Sequence, residues 1–438
     1  MVRQILFALS LLVTLGLFTY TTLRYIAYFR LTRPAFRVGQ IGRRIRLTLT
    51  VAIGQSRIFR QPVTGFFHAL VFWGFCVIAF GSVEMIIDGL TGADRSLSFL
   101  GWFYSLMTAS GDLFGLLVAV SILIFLARRL FFHIRRFEGI EMKRVSHLDA
   151  NIALTLILLL MVTLLGMNMA YYAHAALTGE ELAGAYPVSA PLASILLNMD
   201  PGAIWILHEA SWWSHILLIF LFANILPYSK HFHVFMSIPN VFLSRLDTPG
   251  KLPNMDSVTR EVKMMLYPET VPAADTPEPV GRFGVKDAED VSWKNYLDSL
   301  ACTECGRCTS VCPANLTGKR LSPRKIIMDV RARMREKGPG LVREGMGFSD
   351  GKSLLRDYIT EEELWACTTC NACARECPIN INHPTLIIDM RRYLVMEEAS
   401  APGGIKSVFS NIENNGAPWQ YSPEDRLNWT RGLSDRPN

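Results

Sequence analysis

Hydrophobic positions in this chain follow two regimes. Up to about residue 229 they run in long stretches, at about 4–23, 63–86, 111–131, 150–172 and 208–229. Each can cross a bilayer as a helix, which takes roughly 20 apolar residues. Beyond them the pattern breaks. Between 237 and 290, Pro239, Pro249, Pro253, Pro268, Pro272, Pro277 and Pro279 interrupt any long helix, and only a short one at about 255–266 is expected. From 291 to 400, helical spacing returns. One helix is expected to open at Ser322-Pro323-Arg324 and run through Lys325 to Arg335, with proline near its start. Another is expected over 384–397. The tail from 401, rich in Gly, Asn and Pro, is expected to be extended. The expected fold is mainly α: a five-helix transmembrane bundle (1–236), a proline-rich linker (237–290), a small helical domain (291–400) and the tail (401–438).

Charge adds a direction to this picture. The segment 24–62 holds nine arginines (Arg24, Arg30, Arg33, Arg37, Arg43, Arg44, Arg46, Arg57, Arg60) and no acid, and the loop from Arg128 to Asp149 is also basic. The loop near 87–110 sets Asp88 and Asp94 against Arg95 alone. The loop at 173–207 carries Glu180, Glu181 and Asp200 and no Lys or Arg. Basic loops stay in the cytoplasm. The expected protein is therefore a multi-pass protein of the cytoplasmic (inner) membrane, with its N-terminus outside and everything after the fifth helix inside. The first stretch lacks a small-residue cleavage site and is followed by Arg24, Tyr25 and Arg30, so a retained helix is expected rather than a signal peptide. Half of the residues (50%) are hydrophobic, with a mean hydropathy of +0.24, as expected of a chain that lies partly in lipid. The net charge of +6 sits mainly in membrane-flanking loops, so no nucleic-acid partner is expected.

Eight of the nine cysteines lie between Cys302 and Cys377, in two groups. One reads Cys302-Thr-Glu-Cys305-Gly-Arg-Cys308-Thr-Ser-Val-Cys312-Pro313. The other reads Cys367-Thr-Thr-Cys370-Asn-Ala-Cys373-Ala-Arg-Glu-Cys377-Pro378. Both are C-x₂-C-x₂-C-x₃-C-P, the run of two-cluster bacterial ferredoxins. Three closely spaced thiolates wrap one iron–sulfur cube, and the fourth reaches the other. The expected ligand sets are Cys302, Cys305, Cys308 and Cys377 for one [4Fe–4S] cluster, and Cys367, Cys370, Cys373 and Cys312 for the second. A pair of Cys₄ zinc sites is the bland alternative, but three cysteines at this spacing crowd one tetrahedral ion. Grouped cysteines also speak for a reducing compartment over a disulfide framework. Cys76 reads as a small apolar residue of the second helix.

Between the two runs lie 54 residues. The runs, the Ser-Pro-Arg-Lys helix start and Trp365 ahead of Cys367 resemble the helical dicluster ferredoxin domain of heterodisulfide reductase and succinate dehydrogenase iron–sulfur subunits.

Nine histidines are present, several at membrane depth. His215 and His233 lie 18 residues apart, which in one helix is five turns and about 27 Å. His68 opens the second helix and His233 closes the fifth, both on the cytoplasmic side. Two imidazoles at matching depth on different helices can hold a haem between them. A lone interfacial histidine is more often merely solvated or hydrogen-bonded. The surroundings favour ligation: Trp212-Trp213-Ser214-His215 and Leu226-Pro227-Tyr228-Ser229-Lys230-His231-Phe232-His233 resemble the last helix of the respiratory nitrate reductase gamma subunit. That resemblance implies two b haems held by the second and fifth helices. It maps His215 and His233 onto fifth-helix ligands and His68 onto the cytoplasmic second-helix ligand. The other second-helix ligand position is Ile78 here, which leaves His215 without its partner. His174 and His208 are the candidates to replace it. One haem b, between His68 and His233, is expected, with a second left open and His231 as the rival of His233. His133 and His147 are expected to be solvated.

The whole chain, over about 60–435, resembles the electron transfer flavoprotein:menaquinone oxidoreductases, fused membrane proteins related to heterodisulfide reductase. The carrying residues include His68-Ala-Leu-Val-Phe-Trp-Gly-Phe75 and Asn414-Asn415-Gly416-Ala417-Pro418-Trp419. The resemblance implies an electron-transfer subunit of a quinone-linked oxidoreductase, with menaquinone as substrate and electron transfer flavoprotein as partner. In that family two further cysteine-rich C-C-G repeats follow. Here no cysteine follows Cys377; either a separate cysteine-rich subunit supplies those repeats, as a further expected partner, or they lie outside this sequence. Two other readings stand beside it: reverse flow from quinol to a heterodisulfide- or sulfite-linked reductase, and a haem-free anchor. No nucleotide or flavin motif is present, so neither NAD nor a flavin is expected on this chain.

Overall fold

The structure is a computed structural model that describes residues 1–248, 250–267, 269 and 281–433. Of the linker prolines, Pro249, Pro268, Pro272, Pro277 and Pro279 lie outside the described residues. Among those described, the fold is helical, and β contacts are limited to isolated bridges, Arg33 with Ser292 and Leu355 with Ile359.

The membrane half consists of α1 (Val2–Arg30), a short α2 (Ile41–Leu47), α3 (Pro62–Thr91), α4 (Trp102–Phe131), α5 (Arg144–Thr178), a one-turn α6 (Ser189–Leu192) and α7 (Pro201–Ile225). Five of these are long and apolar enough to cross a membrane. Helices α3, α4, α5 and α7 pack against one another in chain order, and α1 closes the ring by packing on α3 and α7. All begin ahead of the apolar stretches that predicted them, and α1, α3 and α5 also run past their ends, because helix hydrogen bonding continues into the polar flanks until a breaker intervenes. At one end, buried carboxylates tie the connecting loops to the bundle. Asp88 accepts from the backbone N–H groups of Arg95 (3.1 Å) and Ser96 (2.9 Å), and Asp112 from those of Val188 (2.8 Å) and Ser189 (2.9 Å). These intramembrane acids satisfy loop donors that lipid cannot.

The fifth span differs most from expectation. Asp200 caps it, accepting from Gly202 N (2.9 Å) and Ala203 N (3.2 Å), and Pro201 fills its first position, so it begins early. It ends at Ile225, because Pro227 cannot extend the ladder and Ser229 is extended. His233 instead opens a new helix, α8 (His233–Phe242). The five-turn phase relation between His215 and His233 is therefore broken.

Helix α8 also overruns the expected domain limit at 236, and α9 (Asp256–Leu266) is the short helix expected inside the linker. Then come α10 (Trp293–Ala301), α11 (Arg307–Ser310), α12 (Pro313–Leu316), α13 (Pro323–Glu344), α14 (Glu361–Trp365), α15 (Ala372–Glu376) and α16 (His383–Met396). Their core joins Tyr296, Leu300, Ile326, Met334, Leu354 and Leu386. It starts at Val285, ahead of residue 291, and it takes in Tyr25 and Tyr28 from the end of α1 and Phe232. The small domain is thus packed onto the bundle, on the side of the basic loops. The tail is not extended as expected: α17 (Gly403–Asn415) forms there. Ile405, Val408, Phe409 and Ile412 recur at helical spacing, and Gly416, at φ +67°, ends the helix in the left-handed conformation that glycine adopts freely.

Candidate iron–sulfur and haem sites

The two cysteine runs fold as copies of one loop. Each turns left-handed at the same two places, Glu304 (φ +57°) and Gly306 (+73°) in the first, Thr369 (+54°) and Asn371 (+60°) in the second. These turns aim backbone N–H groups at sulfur: Thr369 N lies 3.4 Å from Cys367 Sγ. Gly306 is required twice over, since a Cβ there would meet the Arg136 carbonyl at 2.3 Å. Cys308 has Cys305, Cys302 and Cys377 among its electrostatic neighbours, and Cys377 has Cys305 and Cys302. Cys373 has Cys367, Cys312 and Cys370. A shared hollow is lined by Cys312, Cys367, Cys370 and Cys373. The fold therefore gathers two quartets, each with three cysteines from one run and the last cysteine of the other. Burial pushes the free thiols up, Cys302 to about 11 against the pull of Arg331 and Cys373 to about 12. Ligation by iron stabilises the thiolate in their place. The donor set, the N–H groups aimed at sulfur and the mixed quartets all fit two four-iron clusters.

The quartets differ in position. The first faces the bundle. Arg57 donates to the Cys377 carbonyl (3.0 Å), Arg307 to the Arg57 carbonyl (2.9 Å), and Arg331 to the Cys302 carbonyl (3.1 Å). Glu304, between two of its cysteines, is buried against Arg331, Ser146 and Lys230, the last at 3.4 Å. Burial alone would raise the Glu304 carboxyl, but Arg331 and Lys230 hold it below the ordinary range. In the second quartet Cys370 is exposed and Cys367 half-buried, while Cys312 and Cys373 are buried. Arg391 spans its start, donating to the Leu364 carbonyl at 2.6 Å and stacking over Trp365 at 4.9 Å. Trp365 therefore serves as a platform for that arginine.

The structure brings His68 and His233 together as electrostatic neighbours, with His231 5.9 Å from His233. Their ring nitrogens separate the candidates. His68 Nδ1 donates to Gln55 Oε1 (3.0 Å) and His233 Nδ1 to the Lys230 carbonyl (3.3 Å). An Nδ1 so engaged leaves Nε2 bare for a metal, the arrangement of haem and zinc histidines. Burial lowers the His233 pKa, so the ring is neutral near pH 7. Each ring thus offers the bare Nε2 that an axial haem ligand needs. His231 instead turns Nδ1 to the Ser229 hydroxyl at 3.0 Å. His215 also donates from Nδ1, to the Leu160 carbonyl (3.0 Å), but it lines a different cavity of about 350 Å³ near the opposite end of the bundle, with Ile78. His208 lines that cavity too, stacked on Trp205 at 5.1 Å, with no hydrogen bond to its Nδ1 but Glu209 Oε1 3.7 Å away. His174 does not line it and pairs with Glu180 at 3.5 Å. His133 is exposed and bonded to Glu138 at 2.9 Å. Gln55 carries no sequence motif, and Arg57 stood out only as one of the nine arginines of the basic segment 24–62.

Residues 301–381 match the 4Fe–4S dicluster domain family. The probable iron–sulfur-binding oxidoreductase FadF of Bacillus subtilis is 30% identical over 98% of this chain and 60% of its own length. The EtfAB:quinone oxidoreductase of Syntrophomonas wolfei is 28% identical over 92% of this chain and 56% of its own. A probable membrane-anchored ferredoxin of Chromohalobacter salexigens is 37% identical over 37% of the chain. The chain therefore spans less than two thirds of the first two relatives. No solved structure matches. The chain has five helices long and apolar enough to cross a membrane, is similar to these iron–sulfur oxidoreductases, and carries an electron-transferring 4Fe–4S dicluster domain over residues 301–381.

Proposed function

We propose that this protein conducts electrons between a cytoplasmic donor, electron transfer flavoprotein or an adaptor subunit, and menaquinone in the membrane. The observation that carries the reading is the order of sites. The second quartet reaches solvent through Cys370, the first is bonded to the bundle, and the His68–His233 pair lies just inside. The clusters would supply one-electron carriers, and His68 and His233 would hold a haem b that extends the series towards the membrane. The chain's own work is positional. Crossed ligation fixes the clusters side by side, Glu304, Lys230 and Arg331 set the charge around the first, and the arginine loops hold the cluster domain on the bundle. The loop charges support an outside N-terminus and a cytoplasmic cluster domain in the inner membrane. The EtfAB:quinone oxidoreductase among the relatives supports both partner and substrate.

Reverse flow, from quinol to a cytoplasmic reductase, is the second reading. It is favoured by relatives named as parts of heterodisulfide reductases, such as that of the ferredoxin-dependent CoB–CoM heterodisulfide reductase of Methanosarcina acetivorans, 35% identical over 24% of the chain.

The test is an anaerobic visible spectrum before and after addition of a menaquinol analogue. Reduced b-type bands with quinol are expected. A protein without haem bands under quinol or dithionite would sink the haem assignment and leave a haem-free anchor.

A further inference from the structure

The loop between α2 and α3 does more than connect two helices. Gln55 sits in the left-handed region (φ +54°), is buried, and is held there by its own backbone: its carbonyl accepts from Ile58 N (2.8 Å) and Phe59 N (3.1 Å). Its side chain is fixed at both ends. Nε2 donates to the Ala52 carbonyl at 2.8 Å, which turns Oε1 toward His68 Nδ1 at 3.0 Å. A left-handed glutamine is uncommon, and its persistence here means that the surroundings over-determine it. Three residues before His68, Gly65 lets the loop lie directly on α3, since a Cβ there would meet the Ile58 carbonyl at 2.7 Å.

The rest of the loop belongs to the first cysteine quartet. Arg57 donates to the Ala374 (3.3 Å) and Cys377 (3.0 Å) carbonyls. Arg60 donates to the Arg375 carbonyl (2.6 Å) and pairs with Glu376 at 3.5 Å. Arg307, between Cys305 and Cys308, reaches back to the Arg57 (2.9 Å) and Ile58 (3.4 Å) carbonyls. One short loop thus bonds the ring of a haem-site histidine and the backbone of a cluster ligand.

We infer that Gln55 is the positioning residue of His68, and that residues 55–60 form a rigid hydrogen-bonded bridge holding His68 against the first cluster quartet. This rests on the haem reading above. An acceptor on Nδ1 fixes the imidazole tautomer and makes Nε2 a stronger donor to iron, so its strength sets the iron potential. A carboxylate accepts more strongly than an amide, and an apolar side chain does not accept at all.

The test is a redox titration of the purified full-length protein, followed by haem absorbance and by electron paramagnetic resonance. Gln55→Glu is expected to lower the haem midpoint potential and Gln55→Leu to raise it, each by about tenfold in the electron-sharing equilibrium, ~59 mV for one electron. Opposite signs are the signature, because mere loosening of the loop would move both variants the same way. If Q55L does not fold, Gln55→Met, likewise without an oxygen acceptor, supplies the upward arm. A haem whose potential is the same in wild type and variants, or shifts in one direction in both, overturns the inference. Absence of haem from the wild type would instead overturn the haem reading itself. Arg57→Ala supplies a separate readout: the resonance of the first cluster is expected to broaden as its mooring loosens, and an unchanged spectrum would refute the bridge.

Discussion

At the scale of single residues, the sharpest consequence concerns which sulfur serves which cluster. Cys312→Ser is expected to remove the paramagnetic signal of the cluster built on the second run and to spare that of the first. Cys377→Ser should do the reverse. Loss of the cluster of the mutated run itself would disprove crossed ligation. The histidines separate in the same way: His233→Ala is expected to abolish the haem bands, and His231→Ala to retain them, because His231 turns Nδ1 to a hydroxyl. The cysteines were legible because their information is local; C-x₂-C-x₂-C-x₃-C-P states spacing, turn and fourth ligand within one stretch. The supports of the histidines were not legible. Gln55, 13 positions before His68, reaches its ring only once a loop folds back on the start of α3, and the Lys230 carbonyl meets the His233 ring only because the chain leaves α7 at Pro227 and starts a new helix. Chemistry carried by spacing can be read from a single stretch of chain, whereas chemistry carried by orientation cannot.

At the scale of elements, apolar length decided the five spans, and breakers decided their ends. A hydropathy pattern has no term for a proline such as Pro227, so it carries one helix through a point where the ladder stops. The tail departs from expectation for the opposite reason: its glycines and asparagines sit at the ends of α17, where they favour entry and exit. In the cluster domain, α13 is the central helix, and Ile326→Ala, at a fully buried site, is expected to cost about 2–5 kcal/mol in chemical unfolding. Asp287 fastens the same helix, accepting from Arg333 Nε at 2.7 Å and Lys337 Nζ at 2.8 Å. Burial alone would raise its carboxyl, but Arg333 and Lys337 outweigh it and hold the folded pKa below the ordinary range. An unfolded aspartate titrates near ~3.9. The stabilisation is therefore complete above that pH and lost as pH falls through the lower folded value. Thermal melts of D287N should show lower stability at neutral pH and a flatter acid limb than wild type below about pH 4.

At the scale of the whole molecule, the arginines that suggested orientation have a second occupation. Arg33, Arg44, Arg57 and Arg60 all bond residues beyond the membrane spans: Arg33 with Asp290, Arg44 with the Phe242 carbonyl at 2.8 Å, Arg57 and Arg60 with the cluster loops. A basic loop is thus expected here whether it answers to the membrane field or to a docked domain, and orientation needs its own measurement. With a membrane-impermeant thiol reagent on intact cells, a cysteine placed at exposed Ser98 is expected to be labelled and one at exposed Ser349 protected. The reverse pattern would invert the topology. Helix α8 carries the same double occupation further. It begins with His233, and seven residues on, Asn240 donates to the Ile379 carbonyl (2.9 Å), two residues past the last cluster cysteine, while accepting from Lys294 at 2.8 Å. One ten-residue helix is therefore a shared footing for the first cysteine quartet and, on the proposed reading, for a haem, two groups of unrelated chemistry. Maturation cannot then proceed as two independent events. A chain denied its first cluster, as in C377S, is expected to emerge with less haem as well, so that half-finished copies fail together rather than circulating in the membrane as leaky conductors.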